Sequence, residues 1–209
     1  ALRDAADRGE VVLVLDGLDQ LVDREGALDL AWLPEVLPTD ARLIASALPS
    51  RPLDEMHRRG FETLEVGPLS IDQRTQLAKQ FLSQHAKTLP TADVAALAVS
   101  QHSENPLYLR LLLEELLVHG SHETLGIRLA DLLAAPDVPS LLSAIFRRWQ
   151  TDYERDRKAL VADSLRLLRA GHTGLTESEL LDLLGAADQP LPQAIWAPFR
   201  RAAKAVITN

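Results

Sequence analysis

The sequence predicts a fold that begins as α/β and continues as all-α. Three apolar runs rich in β-branched residues and leucine lie within the first 70 residues, separated by amphipathic or polar stretches. Beyond them the apolar residues recur at helical spacing, and we find no further strand signal of any strength. Strands that alternate with helices are typical of a parallel sheet, so we expect a partial parallel sheet followed by helices.

The three predicted strands are "VVLVL" (residues 11–15), "ARLIASAL" (41–48) and "TLEVGPL" (63–69). The first run has no polar alternation, which is typical of a strand buried on both faces of a parallel sheet. An amphipathic stretch with Trp32 and Leu33 separates the first two runs, and "LDEMHRRGF" separates the second from the third. The predicted order of elements is therefore strand, helix, strand, helix, strand.

Two capping boxes and one continuous apolar face predict helices in the rest of the chain. Ser70 with Gln73, and Thr176 with Glu179, have the spacing at which two side chains cap a helix start reciprocally. The stretch "NPLYLRLLLEELLVHG" is expected to end as a helix at Gly120. Its apolar face contains five leucines at helical spacing: Leu109, Leu112, Leu113, Leu116 and Leu117.

These patterns divide the chain into three predicted parts. Residues 1–68 form an α/β part, residues 69–135 a helical middle, and residues 136–209 a helical end. Prolines at 136 and 139 punctuate the last boundary.

Composition limits the classes of partner. The chain has 209 residues, a net charge of −8 and 46% hydrophobic residues, so it has enough apolar side chains for a sizeable core. The acidic balance argues against nucleic acid or an anionic membrane as the main partner. No apolar run approaches the roughly 20 residues that cross a bilayer. The absence of cysteine excludes disulfides and thiolate zinc sites and favours a cytoplasmic location.

Asp16 and Asp19 are the candidate catalytic and metal-binding residues. They follow the first predicted strand, and parallel sheets carry their chemistry at the carboxyl ends of the strands. Magnesium needs few protein ligands, so Asp16 is sufficient to position the ion, and Asp19 is placed to polarise a water molecule. The alternative is that both aspartates serve the turn and cap the next helix, since aspartate is favoured in such positions.

The order of motifs resembles that of the STAND class of P-loop NTPases, which includes NACHT and NB-ARC domains. "VVLVLDGLDQL" is similar to the Walker B segment, and "ARLIASALPS" to the next strand, which ends in a polar sensor residue. "LEVGPLSIDQRTQLAKQFL" resembles the entry to the helical lid, and "ENPLYLRLLLEEL" a lid helix. "GLTESELLDLL" is similar to part of the winged-helix domain that follows. The NACHT-like domains of the nephrocystin-3 and telomerase-associated-protein kind are the most similar.

The resemblance implies a partial P-loop NTPase sheet, a helical lid and the start of a winged-helix domain. It also implies ATP or ADP with Mg²⁺ as cofactors, and a nucleotide-dependent switch that drives oligomerisation in signalling. Asp16 would position Mg²⁺, Asp19 would orient the attacking water, and Ser46 would sense the γ-phosphate. Asn105 and Pro106 match the lid element that packs on the adenine.

The sequence also departs from the family pattern. Gln20 stands where many members have a second acidic residue, and Arg51 lies five positions beyond Ser46 rather than next to it. The phosphate-binding sequence G-x-x-x-x-G-K-[ST] does not occur in residues 1–209. In the family this loop precedes Walker B, so we expect the chain to be a fragment that begins after the loop and is inactive as an ATPase by itself.

A different class of function stays open at this point. In this alternative the chain is a non-catalytic helical protein-interaction module whose Walker B strand is a relic, and its leucine-rich helices bind a partner protein. A partial sheet exposes an edge and apolar faces, so we expect the isolated chain to need a protein partner or to self-associate.

Overall fold

The computed structural model describes residues 5–6, 8–119, 124–171, 174–186, 189–204 and 206. The chain forms two compact units, Ala1–Val66 and Gly67–Asn209. The first contains a small parallel sheet, and the second is helical in the residues that are described. None of the helices in the described ranges has the length and apolar character that crossing a membrane requires.

The sheet of the first unit consists of β1 (Val11–Leu15) and β2 (Ala41–Ala45). The strands are parallel, as predicted, and Val11 pairs with Ala41 at the start of the register. Two short 3₁₀ turns, Leu18–Gln20 and Ala27–Asp29, lie in the connection between the strands. Helix α1 (Arg51–Arg58) follows β2.

The described residues cover one face of this sheet. The odd-numbered side chains, such as Leu13 and Leu43, pack against a small core of Leu18, Leu30, Leu33 and Met56. The even-numbered side chains point to the opposite face, where Val12 is 57% exposed, Val14 65% and Ile44 60%. The prediction that the first strand is buried on both faces is therefore wrong for the described part of the chain.

The predicted helix between the strands is also wrong, because the connection contains 3₁₀ turns instead. Gly17 and Gly26 precede these turns in the left-handed conformation, with φ of 71° and 74°. Leu30 is left-handed as well, at φ 51°. A regular α-helix cannot pass through left-handed residues, so the apolar spacing of this stretch builds a compact loop over the sheet.

The third predicted strand, residues 63–69, does not form. The described residues between Phe61 and Ser70 have no regular secondary structure, and Leu64 and Val66 are 87% and 89% exposed. A strand needs a neighbouring strand for its backbone groups, and no described strand pairs with this segment, whose Leu69 N–H donates to the carbonyl of Glu104 instead. Pro68 also lacks a backbone donor, which weakens strand pairing.

A buried arginine holds the connecting loop against α1. Arg59 donates hydrogen bonds to the carbonyl oxygens of Asp29 (2.9 Å), Leu30 (3.0 Å) and Leu33 (2.9 Å). Its Nε lies 2.7 Å from Oε1 of Glu55. The guanidinium thus donates to three carbonyl groups of the irregular loop, of which that of Leu30 also accepts from the backbone N–H of Leu33.

The second unit contains eight helices whose bounds are described. They are α2 (Ile71–Gln84), α3 (Thr91–Val99), α4 (Pro106–Val118), α5 (Leu125–Leu133), α6 (Val138–Tyr153), α7 (Leu160–Ala170), α8 (Glu177–Leu184) and α9 (Gln193–Ala203). Both predicted capping boxes are present, at the starts of α2 and α8. A 3₁₀ turn, Gln101–Glu104, precedes α4.

The leucine face of α4 lies inside the core of this unit. Leu109, Leu112, Leu113 and Leu116 are each at most 2% exposed. The same core includes the aromatic side chains of Tyr108, Trp149, Trp196 and Phe199. Gly120, where we predicted the helix to end, lies outside the described residues.

One apolar core extends across the predicted boundary at residue 135. Leu112 of α4, Ile145 of α6 and Leu180 of α8 all belong to it. The division into 69–135 and 136–209 as lid and winged helix stays a prediction.

Candidate functional site at the carboxyl ends of β1 and β2

The carboxyl ends of the two strands bring together Asp16 and Ser46, which lie 30 positions apart in the sequence. Asp16 follows the last residue of β1, and Ser46 follows the last residue of β2. The backbone N–H of Ser46 donates to the carbonyl of Leu15 over 2.9 Å. Parallel pairing therefore places both polar side chains at one edge of the sheet, as expected from the sequence.

Ser46 connects three groups of this edge. Its hydroxyl donates to Oδ1 of Asp16 and accepts a hydrogen bond from the backbone N–H of Gly17 over 2.9 Å. Its carbonyl accepts from the N–H of Leu18, also over 2.9 Å. These bonds fix the carboxylate of Asp16 and the turn that follows it.

Gly17 has a conformational role in this turn. Its φ of 71° lies in the left-handed region, which costs a residue with a Cβ more than it costs glycine. The turn brings the Gly17 amide to the Ser46 hydroxyl.

Asp19 is tied to the loop that follows β2. Its Oδ1 accepts a hydrogen bond from the backbone N–H of Leu48 over 3.0 Å. The 3₁₀ turn at Leu18–Gln20 begins at Gly17 and has no side-chain cap. Neither aspartate caps this 3₁₀ turn, so the capping part of the alternative is not seen. Both carboxylates bond to the segment after β2, which agrees with the other part of the alternative, a structural role at the turn.

Arg51 is engaged by an acidic partner in the same unit. Its Nε and Nη2 lie 2.8 Å and 2.6 Å from the two carboxylate oxygens of Asp29. Both side chains are about half exposed, at 56% and 51%. The pair anchors the start of α1 to the second 3₁₀ turn.

Asn105 and Pro106 lie in the other unit, at the start of α4. Oδ1 of Asn105 accepts from the backbone N–H groups of Leu107 (2.9 Å) and Tyr108 (3.3 Å), so Asn105 is the N-cap of this helix. Pro106 is the first helical residue, where its missing N–H has no cost. Contact of these two residues with an adenine stays a prediction.

The edge has two carboxylate oxygens without a hydrogen-bond partner among the described residues, Oδ2 of Asp16 and Oδ2 of Asp19. The side chain of Asp16 is exposed. No group of three or more potential metal ligands converges within the described ranges. A single carboxylate suits Mg²⁺, which keeps several water ligands, so the residues present fit such an ion as one ligand among waters.

Sequence reasoning missed a buried charge cluster in the second unit. Glu115 of α4 is 4% exposed and receives hydrogen bonds from Arg148 of α6 at 2.7 and 2.8 Å and from Arg128 of α5 at 3.0 Å. Burial opposes the charge of Arg148, but the hydrogen bonds and charge of Glu115 outweigh it and raise the pKa of the guanidinium. In the sequence, Glu115 stands among leucines next to another glutamate, and its partners are 13 and 33 positions away.

Comparison with known proteins finds distant relatives. A TPR repeat-containing protein of Dictyostelium discoideum is 32% identical over 200 residues, which are 95% of this chain and 12% of that protein. Mouse telomerase protein component 1 is 30% identical over 180 residues, covering 83% of this chain and 7% of that protein. Mouse nephrocystin-3 is 23% identical over 193 residues, or 86% of this chain and 14% of that protein. No family model and no solved structure matches.

The chain thus spans 7 to 14% of the length of these three relatives. Two of them, telomerase protein component 1 and nephrocystin-3, are the kinds of protein that the motifs resemble. The finer prediction of a P-loop NTPase domain stays a prediction.

Proposed function

We propose that this chain is a protein-interaction module of a longer polypeptide, and that the open face of the β1–β2 sheet is a contact surface. The observation that carries this proposal is the exposure of Val12, Val14 and Ile44 on one face of a parallel sheet. Parallel sheets are almost always covered on both faces, so this one is complete only when other polypeptide packs on it.

The exposed side chains supply a usable driving force. Full burial of a Val or Ile side chain contributes about 1.5–3 kcal/mol. Three side chains that are already one-third to one-half buried would therefore contribute roughly 3 kcal/mol when the face is covered. This energy is appreciable against the total stability of a small domain, about 5–15 kcal/mol.

The leucine-rich face of α4 is not this contact surface. Its leucines are buried in the core of their own unit, and Leu112 for example is fully buried. We therefore assign the proposed protein contact to the open face of the sheet and not to the leucine-rich helices. The relative with TPR repeats in its name supports a role in protein contacts without naming a partner.

Sedimentation velocity of paired double variants tests the proposal. The chain should associate weakly, with a weight-average sedimentation coefficient that rises with concentration. Val14→Lys/Ile44→Lys should remove this rise, because charge on the open face prevents its burial. The control Val22→Lys/Val36→Lys changes two valines that are 67% and 81% exposed outside the strands, and should leave the rise in place. A wild-type chain that is monomeric at every concentration would contradict the proposal.

A second candidate function is a nucleotide-dependent switch, which the contact between Asp16 and Ser46 favours. In this hypothesis Asp16 positions Mg²⁺, Asp19 orients water and Ser46 senses the γ-phosphate of ATP. The hydrogen bond between Asp16 and Ser46 supports this hypothesis by placing the two side chains at one edge of the sheet, whereas Asp19 has a partner in the Leu48 amide. Asn105 and Pro106 would contact the adenine.

Asp16→Asn in a longer polypeptide that contains a phosphate-binding loop tests this second candidate. The substitution should abolish nucleotide-dependent assembly, whereas Asp40→Asn, at an exposed aspartate before β2, should not. Residues 1–209 contain no phosphate-binding loop, so titration calorimetry should detect no micromolar affinity for ATP. Equal behaviour of the two variants would leave only the interaction role.

A further inference from the structure

We infer that a cavity in the helical unit binds a small organic anion that combines a carboxylate with an apolar body. The cavity has a volume of about 420 Å³ and is lined by residues of α4, α6 and α9 together with a few that follow helix ends. This volume lies within the range of small-molecule sites in proteins, about 300–1,000 Å³. All of its lining residues belong to the second unit, so the site is separate from the open face of the sheet.

Three basic side chains line this cavity, although the chain as a whole has a net charge of −8. Arg110 lies on α4, Arg201 on α9, and Lys204 directly after α9. None of these three pairs with an acidic side chain within the described ranges, whereas Arg200, next to Arg201, pairs with Glu177. The basic groups of the cavity are therefore placed to bind an anionic ligand.

The two glutamates of the wall do not neutralise these basic groups. Glu115 accepts hydrogen bonds from Arg128 and Arg148 and belongs to the buried charge cluster. Glu114 follows Arg110 by four positions on α4, a spacing that allows an ion pair, but these two described side chains do not form one. The Glu114 carboxylate is thus an acceptor for an N–H group that lies beside the carboxylate of the ligand.

Apolar side chains form the rest of the wall. Val118 is 45% exposed, and Ala202 and Val206 are half-buried, so all three have apolar surface that a ligand can cover. The nearly buried side chains of Leu111 and Trp149 also line the cavity. A purely hydrophilic anion such as inorganic phosphate would leave this apolar surface in water, so the wall favours an anion with an apolar body.

An N-acyl amino acid with an aliphatic side chain contains all the groups that this wall requires. Its carboxylate matches the planar guanidinium groups of Arg110 and Arg201, which bind carboxylates through two parallel hydrogen bonds. Its amide N–H matches the carboxylate of Glu114, and its side chain matches the apolar part of the wall. The same chemistry is present in a free small molecule and in the C-terminal residue of a polypeptide.

An NMR titration of the whole chain with N-acetyl-L-leucine tests this inference. The indole N–H signal of Trp149 reports on the cavity, and that of Trp32, in the first unit, is an internal control. The Trp149 signal should shift and saturate with a dissociation constant of about 1 mM or lower, while the Trp32 signal should stay in place. A Trp149 signal that does not respond would overturn the inference.

Two matched compounds separate the contributions of the carboxylate and the side chain. N-acetyl-L-leucine amide lacks the carboxylate, and N-acetylglycine lacks the apolar side chain. Each should bind about tenfold or more weakly than N-acetyl-L-leucine, because each loses one of the two main interactions. Equal binding of all three compounds would contradict a site that requires both groups.

Substitution of a basic wall residue locates the carboxylate. Arg201→Gln should weaken binding of N-acetyl-L-leucine about tenfold, since it removes a charged hydrogen-bond donor. Arg169→Gln, at an exposed arginine of α7 that does not line the cavity, should bind as the wild type does. Circular dichroism checks the fold of each variant, and Lys204→Gln replaces Arg201→Gln if the latter unfolds. Wild-type affinity in both Arg201→Gln and Lys204→Gln would overturn the assignment.

A peptide distinguishes the two sources of the ligand. The probe is acetyl-Ala-Ala-Ala-Leu with a free C-terminal carboxylate. Binding about tenfold tighter than that of N-acetyl-L-leucine would assign the cavity to the C-terminal residue of a polypeptide, because the preceding residues then add contacts. Equal or weaker binding would assign it to a small molecule. Both results support the cavity as a site for an apolar carboxylate.

Discussion

Ser46 is the residue on which the carboxyl edge of the sheet depends. Its hydroxyl serves both the Asp16 carboxylate and the Gly17 amide. Each such bond contributes about 0.5–1.5 kcal/mol net, and the exposed position keeps it toward the lower end. The residue thus has a structural role that is independent of any nucleotide.

Ser46→Ala should therefore loosen the turn after β1. We expect about 1 kcal/mol of local destabilisation, which raises the hydrogen-exchange rate of the Gly17 amide roughly fivefold. Ser46→Thr retains the hydroxyl and should exchange at close to the wild-type rate. An unchanged rate in Ser46→Ala would mean that this contact does not order the turn.

Glu55 gives the first unit an acid-sensitive contact. Hydrogen bonds from Arg58 and Arg59 lower the pKa of its carboxyl group from 4.5 to about 2. Because the folded state holds the Glu55 proton more weakly than the unfolded state, the contact of Glu55 with Arg58 and Arg59 stabilises the fold fully above pH 4.5. This contribution is lost as the pH falls from there toward 2.

In Glu55→Gln, the free energy of unfolding should depend less on pH between 4.5 and about 2 than it does in the wild type. The measurement is the urea midpoint of the first unit between pH 5 and 2, with Glu62→Gln, an exposed glutamate, as control. A wild-type urea midpoint that stays constant between pH 5 and 2 would show that Glu55 does not form its contact with Arg58 and Arg59.

At the scale of elements, the sequence predicted what depends on neighbours in the chain. The first strand, the parallel pairing and the capping boxes at Ser70 and Thr176 are confirmed, and the second strand forms but ends at Ala45 rather than at Leu48. The strand over residues 63–69 was wrong because strand formation needs a neighbouring strand, which a local pattern does not supply.

In the candidate site, too, features with a local sequence signal were predicted and features that depend on distant residues were not. Position after an apolar strand placed Asp16 at the sheet edge, whereas Ser46 was placed there only by the family resemblance, since the predicted second strand extended to Leu48. The tie between Asp19 and the Leu48 amide, 29 positions away, has no local signal. The open face goes against the local signal, because an uninterrupted apolar run is typical of a strand that is buried on both faces.

The buried Glu115 cluster joins three helices of the second unit. Removing one partner of such a buried cluster typically costs about 3–5 kcal/mol, because the remaining charges lose their compensation. Glu115→Ala should cost about 3 kcal/mol, the lower end of this range, because Arg128 loses its carboxylate partner whereas Arg148 keeps Asp152.

Urea unfolding measures this loss, with Glu114→Ala as the control. Glu114 is the preceding residue on α4 and forms no ion pair among the described residues, so its substitution should change stability by less than about 0.5 kcal/mol. Equal destabilisation by the two substitutions would contradict a special role of the cluster.

At the scale of the molecule, the two units differ in how much of their apolar side-chain surface is buried. The helical unit buries its largest aromatic side chains, with Trp149 at 1% and Phe199 at 0% exposed. The first unit has a small core on one side of its sheet and aliphatic side chains in solvent on the other. A unit of this kind is finished by contact with other polypeptide, which is the basis of the proposed interaction role.

Thiol labelling of single-cysteine variants tests the open face most directly. The chain has no cysteine of its own, so each variant reports one position. Val14→Cys and Ile44→Cys should react with a thiol reagent about tenfold or more faster than Leu13→Cys and Ala45→Cys, whose side chains face the small core. Equal rates at the even and odd positions would contradict the account, because both faces would then be equally covered or equally open.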